Sequence, residues 1–444
     1  MDQLLTEGSI RRKIIGFAVP VFVGYLFQQL YNTADSLIVG NYLGENALAA
    51  VSSNAAFIYL FVGFFMGFAT GAGVVIARHI GAGDVRQTGL AVHTTVAMGL
   101  AFSVLVSVLG VAITPVVLNW MGTPREVFTE SCKYLRVYFA GSTGLVMYNM
   151  LVGILQASGD SRHPLVYLIV SSMVNVALDI LFVAALHMGV EGAAYATIIS
   201  QFLSMFLAGA RLMRVKSSIR VDPRRVRFDR DNLILIVRNG LPTALQASVI
   251  DLSNLLIQSY INSFGNLAMA GIGASTKVEG FAFLPITAFS MAVTTFVSQN
   301  MGAREYDRVR RGIRFGLTCA VTIIEVLGAV LFLLSPRLVG LFNQNPDVIR
   351  FGMGRTRVCA LFYCLVGFSH VASAVMRGLG KPMTPMLIML TCWCAVRILV
   401  LFTIGQAIHD VRLAFWIYPF TWALSSAVYG VLLRRIHVER LGQA

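Results

Sequence analysis

The sequence predicts an all-α integral membrane protein of twelve transmembrane helices in two six-helix bundles related by pseudo-two-fold symmetry. Three observations carry that reading. Of the 444 residues, 57% are hydrophobic and only 13% charged, with a mean hydropathy of +0.73, whereas soluble domains hold about 45–50% apolar and about 25% charged residues. Runs of about 20 apolar residues, each able to cross about 30 Å of hydrocarbon as a helix, recur along the chain. Short motifs in the first half return in the second at a near-constant offset. Strand-period alternation is absent, which argues against a β-barrel.

The apolar runs place spans near 14–39, 47–76, 90–117, 134–156, 164–186, 190–213, 233–260, 268–297, 312–334, 355–376, 385–408 and 412–434. The polar interval 214–232 holds seven Lys/Arg and a proline at the middle of the chain. The expected organisation is therefore an N-terminal six-helix lobe over 1–213, a cytoplasmic basic linker over 214–232 and a C-terminal six-helix lobe over 233–444. Arg11, Arg12 and Lys13 precede an apolar run that continues past Val39. No small-residue cleavage site interrupts it early, so it reads as an uncleaved first helix.

A net charge of +14 on a soluble protein would suggest nucleic acid. Here the basic clusters sit at Arg11–Lys13, Arg78–Arg86, Arg162, the linker, Arg304–Arg314, Arg377–Lys381 and Arg434–Arg440. These are alternate loops and both termini, which the positive-inside rule places in the cytoplasm. Loops 40–46 and 261–267 carry no Lys or Arg, and only 335–354, with Arg337 and Arg350, breaks the pattern. Cys132, Cys319, Cys359, Cys364, Cys392 and Cys394 lie mostly in apolar runs without a CxxC pair, as small packing residues do.

IGAGDVRQTGLAV from Ile80 returns as MGAREYDRVRRGI from Met301, an offset of 221. Gly159 meets Gly380 and Pro164 meets Pro385 at the same offset; Pro20 meets Pro242 at 222. Six spans separate each pair, so both members fall on one membrane side. That is a parallel repeat, with substrate expected between the halves.

Charged groups within a bilayer are costly and mark function by default. Tyr25, Gln28, Asn32 and Asp35 are spaced 3, 4 and 3 in the first span, on one helical stripe. Pro20 precedes them and is able to bend the helix. The fifth span carries Asn175 and Asp179 on one face, and the sixth carries Thr197. Two carboxyls with an amide and a hydroxyl form an all-oxygen set for a hard cation or a shared proton; the bland alternative is interhelical hydrogen-bonding. At the 221 offset Asn175 meets Val396 and Asp179 meets Val400, so the chemistry is not repeated. The second half has its own charges. Asp251 is a cavity candidate, Lys277 and Glu279 lie near a helix end where long side chains snorkel, Glu325 faces a cavity or a helix, and Arg397 is read as neutralising a buried acid. Gly63, Gly67 and Gly71 form a close-packing face. No metalloprotease, nucleophile-elbow or phosphate-loop motif occurs.

The opening LTEGSIRRKIIGFAVPVFVGYLFQQLYNTADSLIVGNYLG, followed in order by IARHIGAGD, QASGDSRHP, MVNVALDILF, EGAAYATIISQ and FVSQNMGARE, resembles the multidrug and toxic compound extrusion (MATE) transporters, in the bacterial branch with acidic residues in the amino-terminal half. The resemblance covers essentially the whole chain. It implies the MATE fold and a secondary antiporter, not an enzyme, exporting organic cations or amphipathic drugs in exchange for Na⁺ or H⁺ by alternating access. The family's cation site maps onto Asp35, Asn175, Asp179 and Thr197, which would also hold Na⁺ in a sodium-coupled protein. Gln28, Tyr31 and Asn32 line the cavity, with Asp251 approximating an acid used by another branch, and Pro20 matches the proline at which the first helix bends. No cofactor beyond the coupling ion is expected. The partners are a small cationic or amphipathic substrate and membrane lipids, not nucleic acid. The protein is expected as a monomer, multi-pass in the bacterial cytoplasmic membrane with both termini cytoplasmic. An alternative keeps the fold and changes the cargo to a lipid-linked oligosaccharide or lipid.

Overall fold

The computed structural model describes residues 4–436; between 45 and 60 it describes only the side chains of Ala47, Val51, Asn54 and Ile58. The predicted basic cluster at the carboxyl end thus keeps Arg434 and Arg435, while Arg440 lies outside the described residues. The described chain is helical: α1 Ile10–Leu43, α2 Glu45–Gly81, α3 Val85–Trp120, α4 Arg125–Ala140, α5 Thr143–Ala157, α6 Arg162–Asp179 and α7 Gly189–Arg214. There follow α8 Arg230–Asn262, α9 Asn266–Gly302, α10 Tyr306–Gly340, α11 Pro346–Ala360, α12 Tyr363–Gly378, α13 Met383–Met389, α14 Val396–Ile408 and α15 Val411–Arg435. α6 runs directly into a π-helical turn, Ile180–Ala185, and a second such turn, Leu390–Ala395, joins α13 to α14.

Among the described residues ten helical stretches are long and apolar enough to cross a membrane, and two bent pairs bring the total to the predicted twelve. α4 meets α5 at 47° and α11 meets α12 at 58°. The sequence reading took each pair as one uninterrupted span. The first bend falls at Gly141, where an added Cβ would stand 2.4 Å from Ile198 on α7. The break lies where α4 closes on its neighbour.

The repeat is written into the backbone. Left-handed residues recur at the 221 offset: Gly44 and Gly265 at φ 85° and 88°, Gly159 and Gly380 at 88° and 77°, and Gly83 and Arg304 at 70° and 60°. Arginine at the last position adopts a conformation that glycine reaches without steric cost. The turn geometry is therefore kept even where its preferred residue is not.

By packing, the chain forms two compact units, one of residues 1–4 and 23–244, the other of residues 5–22 and 245–444. α1 changes unit two residues after Pro20, and α8 two residues after Pro242. In the first unit Phe68, Ile76, Met150, Leu155 and Ile236 share one buried core. There α2 meets the early turns of α8 backbone to backbone: an added Cβ at Gly67 would lie 2.3 Å from the Ala244 Cα, and at Gly71 2.3 Å from the Gly240 Cα. Gly67 and Gly71 of the predicted stripe thus form a packing face. The basic linker is pinned to this unit, with Asp222 N donating to His93 Nε2 at 3.1 Å and Asp229 N to Thr94 Oγ1 at 3.0 Å.

In the second unit Tyr363, Met376, Trp393, Trp422 and Tyr429 lie in one core. Its amino-terminal arm is tied down by Leu5 N donating to Gln299 Oε1 at 2.8 Å, and by Arg308 donating to the Gly8 and Leu5 carbonyls at 2.9 and 3.1 Å.

Candidate functional site

The first unit carries the predicted polar residues on three helices, and brings the Asp35 and Asp179 carboxyls beside each other. α6 carries Asn175 and Asp179 one turn apart, 1% and 0% exposed, facing inward together as their spacing requires. α1 supplies Asp35, half-buried, whose carboxyl is an electrostatic neighbour of Asp179. α7 supplies Thr197, whose hydroxyl donates to the Ala193 carbonyl at 3.0 Å and keeps its acceptor lone pairs. The π turn begins immediately after Asp179; such turns often accompany functional sites. Tyr134 of α4, buried at 5% exposure, is close enough to feel both carboxyls and Tyr31. It was not singled out from sequence. The available signal was its i, i+4 pairing with Tyr138, against which its ring stacks at 6.3 Å.

The set has unspent bonding capacity. Asp35 Oδ1, both carboxyl oxygens of Asp179 and both amide atoms of Asn175 are buried with no hydrogen bond to another protein group, save that the Asp35 and Asp179 carboxyls face each other within reach of a shared proton. Native interiors satisfy the large majority of buried polar atoms, and exceptions need a reason. Four of these five atoms are oxygens, acceptors for a metal cation or carriers of a proton. Two adjacent carboxyls resist ionising together unless a positive charge joins them. The donor set therefore fits a bound Na⁺ or a proton.

Of the remaining predicted residues, Tyr31 shares with both carboxyls the neighbourhood of Tyr134. Gln28, Tyr31 and Asn32 are half-buried on α1, and Pro20 lies inside the same continuous helix. Asp251 belongs to the second unit and is exposed on α8, so it does not join the Asp35–Asp179 cluster within the first unit.

Two sequence readings of the second unit are corrected. Glu279 does not snorkel. It is buried, and its Oε2 takes an ion pair from Arg355 Nη2 at 2.8 Å while its Oε1 accepts from the Tyr363 hydroxyl at 3.1 Å. Only Lys277 reaches outward, over the Phe342 ring. Arg397 neutralises no acid among the described residues. Its guanidinium lies 5.1 Å from the Trp393 ring centre and 4.6 Å from that of Tyr418, and donates to Thr421 Oγ1 and Asn254 Oδ1. Aromatic faces take the place of a counter-ion there. Glu325 accepts a hydrogen bond from the Cys364 backbone at 2.9 Å, and so faces a neighbouring helix.

The MatE family model matches residues 20–181 and again 242–403, one copy per half and together well over half of the chain. The chain belongs to the MatE family, the multidrug and toxic compound extrusion transporters. Among its relatives is the probable multidrug resistance protein YoeA of Bacillus subtilis, 28% identical over 439 residues, covering 97% of this chain and 95% of the relative. The probable multidrug resistance protein NorM of Thermotoga maritima is 27% identical over 397 residues, covering 87% and 84%. A MATE crystal structure in complex with MaL6 superposes with a TM-score of 0.91 at 22% identity, covering 99% of both chains. This chain is a multi-pass membrane transporter of the MatE family.

Proposed function

We propose that this MatE protein is a cation-coupled antiporter that exports organic cations or amphipathic drugs in exchange for Na⁺ or H⁺. One observation supports the reading: the Asp179 carboxyl and the Asn175 amide are buried with bonding capacity unspent, and the half-buried Asp35 turns its carboxyl toward Asp179. Burying such groups is costly, and a transported cation or proton would relieve that cost each time it binds. Asp35, Asn175, Asp179 and Thr197 hold the coupling ion, and Gln28, Tyr31 and Asn32 extend the polar stripe of α1 away from it. Coupling needs only that ion and drug bind in competition or favour opposite states of the alternating-access cycle. Asp35 stands on the helix that contains Pro20, and a proline in a helix interior is a site of bending, so ion binding at Asp35 would bias a bend there. The protein works as a monomer in the bacterial cytoplasmic membrane, with the basic loops and both termini on the cytoplasmic side.

The test is transport in proteoliposomes under imposed Na⁺ or pH gradients, with a panel of cationic dyes. The wild type should drive dye movement with one of the two gradients. Asp35→Asn and Asp179→Asn should insert normally and lose gradient-driven transport at least tenfold. Undiminished coupling in both variants would overturn the assignment of the ion site.

A further inference from the structure

Within the second unit, an apolar groove of about 440 Å³ opens between the first turns of α1 and the helices α9 and α10. Its walls include Ala18 and Phe22 on α1, Pro285 and Phe289 on α9, and Ile323 and Val326 on α10. The volume is that of a ligand pocket rather than a packing defect. Its rim faces outward: Val19 is 50% exposed and Val326 is 59% exposed. In a membrane-spanning unit that exposure is to acyl chains.

The groove has a charged end. Arg11 lies on the same α1 stripe as Ala18 and Phe22, at i, i+7 and i+11, and its guanidinium stands 5.9 Å from the Phe315 ring centre on α10. From Arg11 to Val19, as from Phe315 to Ile323, is eight residues, or about 12 Å along a helix. The two helices therefore run parallel, from a basic end to the apolar groove. Across residues 7–13 and 304–314 there are eight basic side chains against three acidic ones. Arg308 is committed to backbone carbonyls of the amino-terminal arm and Arg310 pairs with Asp307 at 3.4 Å. Arg11, Arg12 and Arg311 are exposed and form no ion pair among the described residues.

We propose that this groove is a binding site for one anionic glycerophospholipid, an acyl chain lying along Ala18, Phe22, Ile323 and Val326 and the phosphate held by Arg11, Arg12 and Arg311. Separation of the basic end from the groove by about 12 Å matches a headgroup at the membrane surface and a chain reaching into the hydrocarbon. Clustered arginines beside a span favour anionic over zwitterionic lipid. The site lies on the part of α1 that precedes the change of unit at Phe22 and Val23. An occupied groove would brace those turns against α9 and α10.

The experiment is native mass spectrometry of the full chain released from mild detergent, titrated separately with dioleoyl phosphatidylglycerol and dioleoyl phosphatidylcholine. One phosphatidylglycerol should be retained at least fivefold more strongly than phosphatidylcholine. Val326→Trp and, independently, Val19→Trp fill the groove from its outward rim and should lower phosphatidylglycerol retention at least fivefold. Leu333→Trp, on an outward position of α10 that does not line the groove, should leave it unchanged. Arg11→Gln combined with Arg311→Gln should erase the preference between the two lipids while the apolar contribution persists. Equal retention of both lipids by the wild type would overturn the anionic site. Wild-type retention in both groove-filling variants would overturn the groove as its location. Displacement of the lipid by a transported dye, one for one, would make the groove a substrate site and overturn the proposal as well. None of these readouts depends on which ion drives transport.

Discussion

Arg355 and Glu279 meet at 2.8 Å with side chains only 4% and 5% exposed. They join α11 to α9, and every neighbour reinforces the pair. Arg355 Nη1 donates to Ser275 Oγ at 2.9 Å, Ser275 shares a hydrogen bond with Thr356 at 2.8 Å, and the Tyr363 hydroxyl donates to the far carboxylate oxygen. Removing one partner of a buried pair strands the other charge, at a cost of about 3–5 kcal/mol, whereas replacing both with apolar groups is often close to neutral. Arg355→Met and Glu279→Leu should each lower the unfolding transition in detergent strongly, and the double variant should recover most of the loss. A double variant as unstable as the worse single one would show that the pair acts through something other than its charges.

The Asp35–Asp179 cluster makes the opposite prediction. The Asn175 amide and the Asp179 carboxyl are buried with no hydrogen bond to another protein group besides the facing Asp35 carboxyl, and each unsatisfied buried group costs about 1–3 kcal/mol. The equivalent positions in the carboxyl half are Val396 and Val400. Asn175→Val together with Asp179→Val should therefore raise the thermal unfolding temperature while removing gradient-driven transport. Gain of stability with loss of activity is the usual mark of residues kept for function. Thermal unfolding of the apo protein alongside dye transport measures both. A variant that loses stability would mean that these groups serve as helix-to-helix adhesive.

The same contrast explains what could be read from the sequence. Span positions, the repeat and the α6 pair follow from local patterns: apolar runs, a fixed offset, and an i, i+4 spacing that puts Asn175 beside Asp179 on one face. The partner of Glu279 lies 76 residues away on another helix, and no periodicity encodes which face of α11 meets α9. A position near a helix end leaves Glu279 open between snorkelling and an intramembrane role, and Arg397 is expected against an acid where the structure has two aromatic rings. The bends at Gly141 and Leu361 escaped for a related reason. Hydropathy is continuous across both, and the close approach of Gly141 to Ile198 at the first is a contact between residues far apart in the chain.

Gly67 and Gly71 give a prediction of packing alone. At both positions a Cβ would stand 2.3 Å from backbone atoms of α8, which no side-chain rotation relieves. Gly71→Ala should cost more than the about 1–3 kcal/mol typical of an overpacked core, because backbone must move. Gly73, two residues on, has its nearest foreign atom, the Gly153 carbonyl oxygen, at 3.4 Å, so Gly73→Ala should be much milder. The comparison of unfolding temperatures and of folded yield after membrane extraction checks it. Equal effects at positions 71 and 73 would deny that the helices touch where the glycines lie.

Asp229 caps α8 from outside the membrane-spanning segments. Its carboxylate accepts from the Asn232 backbone N–H at 3.1 Å and from the Asn232 side-chain amide at 2.8 Å. These donors hold the carboxyl below its ordinary range. Asn232 also bonds His79 and Gln87, so the cap fixes the start of α8 to the end of α2 and the start of α3. Loss of such a cap costs about 0.5–2 kcal/mol; the carboxyl is largely solvated, which argues for the lower part of that range. Because the folded-state value is depressed, the ionised cap contributes fully above the unfolded value of about 3.9 and its contribution fades as pH falls through the lower folded value. Asp229→Ala should therefore destabilise the protein at neutral pH, and the difference from wild type should shrink in acid. Asp229→Asn keeps an uncharged acceptor and should show a smaller deficit that shrinks in the same direction as the wild-type carboxylate is protonated. Unfolding in detergent as a function of pH for the three proteins measures it. An Asp229→Ala deficit that stays constant through the acid range would show that the cap acts without its charge.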